Sequence, residues 1–270
     1  MDSLTNLKPI LHRVPCPVSR EPCNMITKTE AIVLRAIDYQ ESSLIATLFT
    51  RKHGKIAVIA KGARKPKSKF AAFLVPGQIL EVIYYMKVSR SVQTLSDASY
   101  LEKLDQLRVD LEKMALTVTT LELTSQLLHD NEVNEPVFNF FLKMLPWLNN
   151  REKVTRAIFP YIQIRLAQLL GIGLQFDGQP GTESGNGYIN IVSGTLSHEA
   201  LESEAILLTP LQFAFVRESL HSMNSAIFEK DFKKNELTKL IEYLDRYFRY
   251  HIEGIRPRKS DAVFEQILKD

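Results

Sequence analysis

Cysteine, tryptophan and long apolar runs are scarce in this 270-residue chain, and each scarcity removes a class of protein. The only two cysteines, Cys16 and Cys23, cannot build a disulfide framework, so a reducing, cytoplasmic setting is expected. No apolar stretch approaches the roughly 18 to 20 residues of a membrane-spanning helix, because runs such as Ala31 to Leu34 and Ile79 to Tyr85 are short or broken by charge. No membrane partner is expected. Residues 1–25 hold Pro9, Pro15, Pro17 and Pro22 and lack both the apolar core and the small-residue cleavage site of a secretory signal. They read as a disordered leader, with Met25 an alternative start. Hydrophobic residues at 45% and charged residues at 24% supply a sizeable core and exclude wholesale disorder.

Catalytic signatures are absent too. There is no Walker A motif, and Gly171-Ile172-Gly173 fails the dinucleotide fingerprint because Phe176 stands where its third glycine belongs. No Gly-x-Ser-x-Gly elbow occurs, and the histidines at 12, 53, 129, 198, 221 and 251 show no metal-binding pair at helix-face spacing. Acidic pairs such as Glu202 and Glu204 read as solubilising. No catalytic residue, cofactor or metal is expected.

Acidic residues are missing altogether from Ser42 to Leu80, where Arg51, Lys52, Lys55, Lys61, Arg64, Lys65, Lys67 and Lys69 supply eight positive charges. The net charge of +3 hides this. Residues 1–100 carry 15 basic against 7 acidic side chains, and residues 101–270 carry 19 against 24. A solvated face kept for solubility is the plain alternative. Five of the eight cations, however, crowd into Lys61 to Lys69 beside Gly62, Pro66 and Phe70, on a loop suited to wrapping a phosphate backbone. Phe49, Phe70, Phe73, Tyr84 and Tyr85 are candidate stacking faces, although alternate strand residues point inward and core packing suits any single one better.

Short β-branched stretches at Thr29–Ile37, Leu44–Thr50, Lys55–Lys61, Gln78–Met86 and Ser91–Ala98 predict five strands of a small barrel. Arg51-Lys52-His53-Gly54 predicts a hairpin turn with Gly54 at positive φ, and Phe70–Leu74 a brief helix. Beyond Tyr100 the period becomes helical. Leu101, Leu104, Leu107, Leu111, Met114, Val118, Leu121, Ser125 and Leu128, at steps of three and four, predict one stripe on a helix of about 28 residues. A second helix starts at Asn134–Pro136, and a third, from Arg151 to Leu170, is expected to kink at Pro160. Asp177–Ser197, with Gly178, Gly181, Gly185, Gly187 and Gly194, reads as a loop with a small hairpin. Thr209-Pro210-Leu211-Gln212 has the capping-box pattern, and helices over Asn235–His251 and Asp261–Leu268 complete the chain.

Four segments in order, Thr29 to Arg35, Asp38 to Ser42, Leu48 to Lys55 and Ala60 to Phe70, resemble the N-terminal domain of the bacterial RecO recombination mediators. Leu169-Leu170-Gly171 and Arg256-Pro257-Arg258-Lys259-Ser260 extend the resemblance over residues 26–268. It implies an α+β multidomain protein: an OB-fold β-barrel over residues 26–100, then an all-α helical domain over residues 101–270. It further implies binding of single- and double-stranded DNA, annealing of complementary strands, contact with the C-terminal tail of single-stranded DNA-binding protein, and work with RecR to load RecA, near the nucleoid and without enzymatic turnover. Many members carry a four-cysteine zinc site in the segment matching Asp177–Ser197. Here that segment offers only Asp177, Glu183 and the adjacent His198, so a metal-free, zinc-ribbon-like insertion is expected over residues 177–198, as a mobile part.

On this reading Arg35, Arg51, Lys52, Lys55, Lys61, Arg64, Lys65, Lys67 and Lys69 form the DNA surface. About five phosphate contacts give a log affinity against log salt slope of roughly −3 to −4. Arg156 and Arg165, beside Phe159, Tyr161 and Ile162, are the candidates for the acidic tail; a core helix is the plainer reading of those residues. Arg246, Arg249, Arg256, Arg258 and Lys259 either extend the DNA path or balance helix dipoles. A basic OB module that binds RNA or a protein as an adaptor is the competing function, and a nuclease, lacking clustered carboxylates or a metal, a weaker third.

Overall fold

The computed structural model describes residues 25–178, 185–221 and 225–268. The leader up to Asn24, with Gly181 and Glu183 of the glycine-rich segment, lies outside the described residues.

Five strands close a barrel in the order β1-β2-β3-β5-β4: β1 (Met25–Tyr39), β2 (Ser43–Thr50), β3 (Gly54–Ala60), β4 (Ile79–Met86) and β5 (Val92–Glu102). Closure rests on the length of β1. Its first half pairs antiparallel with β4, from Met25↔Met86 to Ile32↔Ile79, and its second half with β2, from Ala31↔Thr50 to Tyr39↔Ser43. A register shift between Val33 and Arg35 bends the strand between its two partners. The parallel pair β3–β5 completes the ring. Alternating side chains fill the interior, among them Val33, Ala46, Leu48, Val58, Val82 and Tyr84. Gly54 takes φ +62° as the turn requires, and a Cβ there would stand 1.8 Å from the carbonyl oxygen of Glu132. The helix α1 (Phe70–Phe73) lies on the β3–β4 connection.

The helical body differs from the sequence expectation in three places. The single helix expected from Leu101 begins instead as the end of β5, followed by α2 (Gln106–Val109) and α3 (Leu111–Leu127). Asp110 breaks it, because its extended backbone lets its carboxylate accept from the N–H groups of Glu112 and Lys113 as an N-cap. The stripe fails with it: Leu101 and Leu111 are exposed, while Thr117, Thr120 and Thr124 are buried, since α3 packs against β1, α2, α4, α5 and α8 from several sides. No long helix spans Pro160. The helix α5 (Ile158–Leu169) starts just before it, so Pro160 occupies the first turn, where its missing N–H costs nothing. A proline does sit inside α4 (Glu135–Asn150), at Pro146.

The third difference is the glycine-rich segment, which forms more than a hairpin. β6 (Gln175–Asp177), β7 (Gly187–Asn190), β8 (Thr195–Ser197) and β9 (Ile206–Leu208) make a four-stranded sheet in the order β6-β8-β7-β9. Behind it come α6 (Pro210–His221), capped by reciprocal Thr209–Gln212 bonds as expected, α7 (Lys234–His251) and α8 (Asp261–Ile267). No described helix is long and apolar enough to cross a membrane.

Candidate nucleic-acid interface

The outer surface of the barrel has two halves. On one, Ile32, Leu34, Phe49 and Ile79 join the core of the helical body, and Phe49 meets Phe138 of α4 edge-on at 5.3 Å. On the other, strand register lines up Ile37, Ile45, Ile59, Thr94, Tyr85 and Ile26 in one row across all five strands. Leu44, Ala46, Val58, Ala60, Tyr84 and Leu95, which flank it along the strands, point into the barrel, so this row faces outward. Ile26 is 65% exposed, Ile37 42% and Tyr85 39%. Beside it runs a second outward row, Arg35, Thr47, Ala57 and Val92. A mainly apolar strip that faces outward is a candidate binding face, and the β2–β3 face is where OB barrels take oligonucleotides.

The expected cations divide into three groups around it. Lys52, Lys61, Lys65, Lys67 and Arg35 are exposed, and their side chains have no hydrogen bond or ion pair among the described residues. Arg64 and Lys69 are exposed but shape the loop. Arg64 reaches Asp38 at 3.1 Å and donates to the Gln40 carbonyl at 3.2 Å, which ties the β3–β4 loop to the β1–β2 turn. Lys69 pairs with Asp97 at 2.7 Å, and its hydrogen bond holds that carboxyl below the ordinary range. Both pairs lie in solvent and are screened by it, so a phosphate can replace the acid.

Arg51 and Lys55 belong to the joint between barrel and helices. Arg51 bonds Glu30 at 2.5 Å and Asn139 at 3.0 Å with its guanidinium 4.8 Å from the Phe138 ring, and Lys55 bonds the Ser125 carbonyl. Nothing in the charge pattern distinguishes them from their neighbours. Among the aromatic candidates, Phe49 and Tyr84 are buried, Phe70 and Phe73 half-buried, and Tyr85 lies in the outward row. The Tyr84 hydroxyl lies 2.5 Å from His53 Nδ1, and burial pushes the phenol up to about 12.

The β4–β5 turn escaped the charge count. Gln93 stitches it by accepting from the Lys87 N–H and donating to the carbonyls of Lys87 and Arg90, which leaves Val88 and Arg90 projecting at the rim of the bare face. The outward row was equally hidden, because Leu44 to Ala46 in β2 and Ile56 to Ala60 in β3 are apolar on both faces and alternation cannot separate inside from outside there.

The expected tail-binding pair does not form a surface. Arg156 has a fully buried side chain held by Glu265 and Thr238, an inward setting that presents no guanidinium to a docking partner. Arg165 is half-buried and donates to Gln168 Oε1 at 2.6 Å. Of the C-terminal cluster, Arg258 is buried against Asp245 and Asp261 and Arg246 pairs with Glu204, whereas Arg249, Arg256 and Lys259 are exposed.

In the insertion, no group of three His, Cys, Asp or Glu side chains among the described residues gathers to hold a metal. The donor set does not fit zinc. Hydrogen bonds join the strands instead: Asn190 Nδ2 donates to Ser197 Oγ at 3.0 Å, Asn190 Oδ1 accepts from the Leu201 N–H at 2.8 Å, and the Glu202 carboxylate accepts from the N–H groups of Val192 and Ser193. The His198 ring lies 4.5 Å from that of Phe213.

Comparison with known proteins gives two family matches: Recombination protein O N terminal over residues 25–104 and Recombination protein O C terminal over residues 108–261. The DNA repair protein RecO of Salinibacter ruber is 40% identical over 152 residues, 56% of this chain and 58% of that protein. Those of Chlorobium limicola and Chloroherpeton thalassium are each 30% identical over 90% of this chain, covering 99% and 100% of their own lengths.

Proposed function

We propose, from the premise that this chain belongs to the RecO family of DNA repair and recombination proteins, that it is a mediator that binds single- and double-stranded DNA and anneals complementary strands. The observation that carries the reading is the outward row from Ile37 to Ile26, with Lys61 two residues beyond Ile59 and the exposed loop lysines Lys65 and Lys67 after it, all three without a side-chain partner among the described residues. Lysines neutralise phosphates and release counterions, while the apolar row receives the faces of unstacked bases. Neutralisation lowers the repulsion between two strands, and base pairing itself drives their union. The protein needs no catalytic group for this and works without turnover.

The partners follow from the same role. Single-stranded DNA-binding protein offers its acidic tail to the helical body, with Arg165 the candidate contact, and RecR joins the complex that loads RecA. The test is annealing of complementary oligonucleotides coated with single-stranded DNA-binding protein. Acceleration by the full chain supports the reading. Binding to DNA without any acceleration overturns it in favour of an adaptor, and binding to RNA alone does the same.

A further inference from the structure

The segment after α7 turns cations outward from an acidic body. Residues 101–270 carry 19 basic against 24 acidic side chains, yet Arg256 and Lys259 stand exposed, with side chains unpaired among the described residues. Their backbone is fixed. The Arg256 N–H donates to Gln126 Oε1 at 2.7 Å, and the N–H groups of Lys259 and Ser260 donate to the Glu122 carboxylate at 2.9 Å each. Between them Arg258 points inward and clamps Asp245, so the chain holds its neighbours in solvent.

This segment is one lip of a cleft of about 810 Å³, whose other lip is β1 with Arg35. Leu34, Met114 and Val118 line it, and an aliphatic wall of low dielectric focuses the field of cations at its mouth. Arg35 also belongs to the outward row beside Ile37, Ile45 and Ile59, two residues or about 7 Å along β1 from Ile37. The lip that carries Arg35 therefore continues the barrel's candidate DNA face, and Arg256 and Lys259 line the same cleft from the helical side.

We propose that Arg35, Arg256 and Lys259 form a second phosphate track, which holds the complementary DNA strand while the first lies on the bare barrel face. The inference rests on the annealing function proposed above and locates its second strand. Continuity through Arg35 favours DNA over an acidic peptide, because pairing requires the second backbone to run within reach of the first. Alanine at 256 and 259 removes two exposed side chains and keeps both backbone bonds, so the fold survives, which an unchanged thermal melt verifies.

The test compares the full-length Arg256→Ala/Lys259→Ala double variant with the unaltered chain. Affinity for a fluorescein-labelled oligothymidylate is expected to change less than about twofold, while the annealing rate falls about tenfold. The salt slope for a labelled duplex becomes shallower by about 2, the share of two phosphate contacts. The double exchange Arg256→Lys/Lys259→Arg keeps annealing intact. Annealing at the original rate in the alanine variant overturns the proposal. So does an equal fall in oligothymidylate affinity, which makes the two tracks one. Loss of an Asp-rich, Phe-ended peptide probe with annealing unchanged assigns the cleft to a peptide and also overturns it. If the unaltered chain binds no oligothymidylate, the failure lies in the underlying DNA-binding reading instead.

Discussion

The ammonium of Lys55 donates to the backbone carbonyl of Ser125 at 2.7 Å, so a lysine at the centre of the acid-free basic stretch fastens β3 to α3. The same ammonium meets Asp130 at 3.1 Å, and the Asn131 N–H donates to the Lys55 carbonyl at 2.9 Å. Lys55→Met retains the aliphatic stem and removes the charge-assisted bond. It is expected to cost about 1–3 kcal/mol of stability while leaving the salt slope for single-stranded DNA unchanged. Denaturant melts and binding titrations check both halves.

Gly54 forms the other side of this joint. Gly54→Ala combines φ +62° with a Cβ pressed onto the Glu132 backbone, and Glu132 sits between α3 and α4. The chain must shift there. A loss of about 3 kcal/mol or more is expected, and a melt within 1 °C of the unaltered protein would contradict the packing described.

Arg156 supports the body and is a poor probe of tail binding. Glu265→Ala leaves its buried guanidinium with less compensation, and a loss of about 1–3 kcal/mol is expected. Arg165→Ala is the cleaner substitution. It should weaken binding of the acidic tail while the melting temperature and DNA affinity stay as they are, measured by anisotropy of a labelled tail peptide.

Glu122 makes the C-terminal segment sensitive to acid. Burial opposes its ionisation, but the Ser260 hydroxyl and the N–H groups of Lys259 and Ser260 outweigh that and hold its carboxyl below the ordinary 4.5. A depressed folded value contributes stability above the unfolded value, lost as pH falls through the folded one. Glu122→Gln is therefore expected to lower the melting temperature at neutral pH, with the difference shrinking as pH drops below about 4.5. A constant difference from pH 7 to pH 3 would contradict it.

The barrel was legible because its strands are short, β-branched and punctuated by turn residues. Gly54 at positive φ and the Thr209–Gln212 capping box are local devices, and both are found where the pattern puts them. Helix α3 was not legible. Its periodicity assumed one buried face, whereas five other elements pack around it and bury threonines that a stripe would leave in water. The charge run located the loop but could not sort its members. Lys61 and Lys55 look alike in sequence and share the outward parity of β3, and only the contact of the strand's start with α3 makes Lys55 a joint while Lys61, past its other end, stays a surface charge.

The most direct test of the DNA face is the salt dependence of binding to oligothymidylate by the unaltered chain and by Lys61→Ala/Lys65→Ala/Lys67→Ala. A slope of roughly −3 to −4 is expected for the unaltered chain, and one shallower by about 2 for the triple variant, since each single-strand phosphate contact contributes about 0.7. Equal slopes for the two proteins would place the DNA elsewhere and contradict the account.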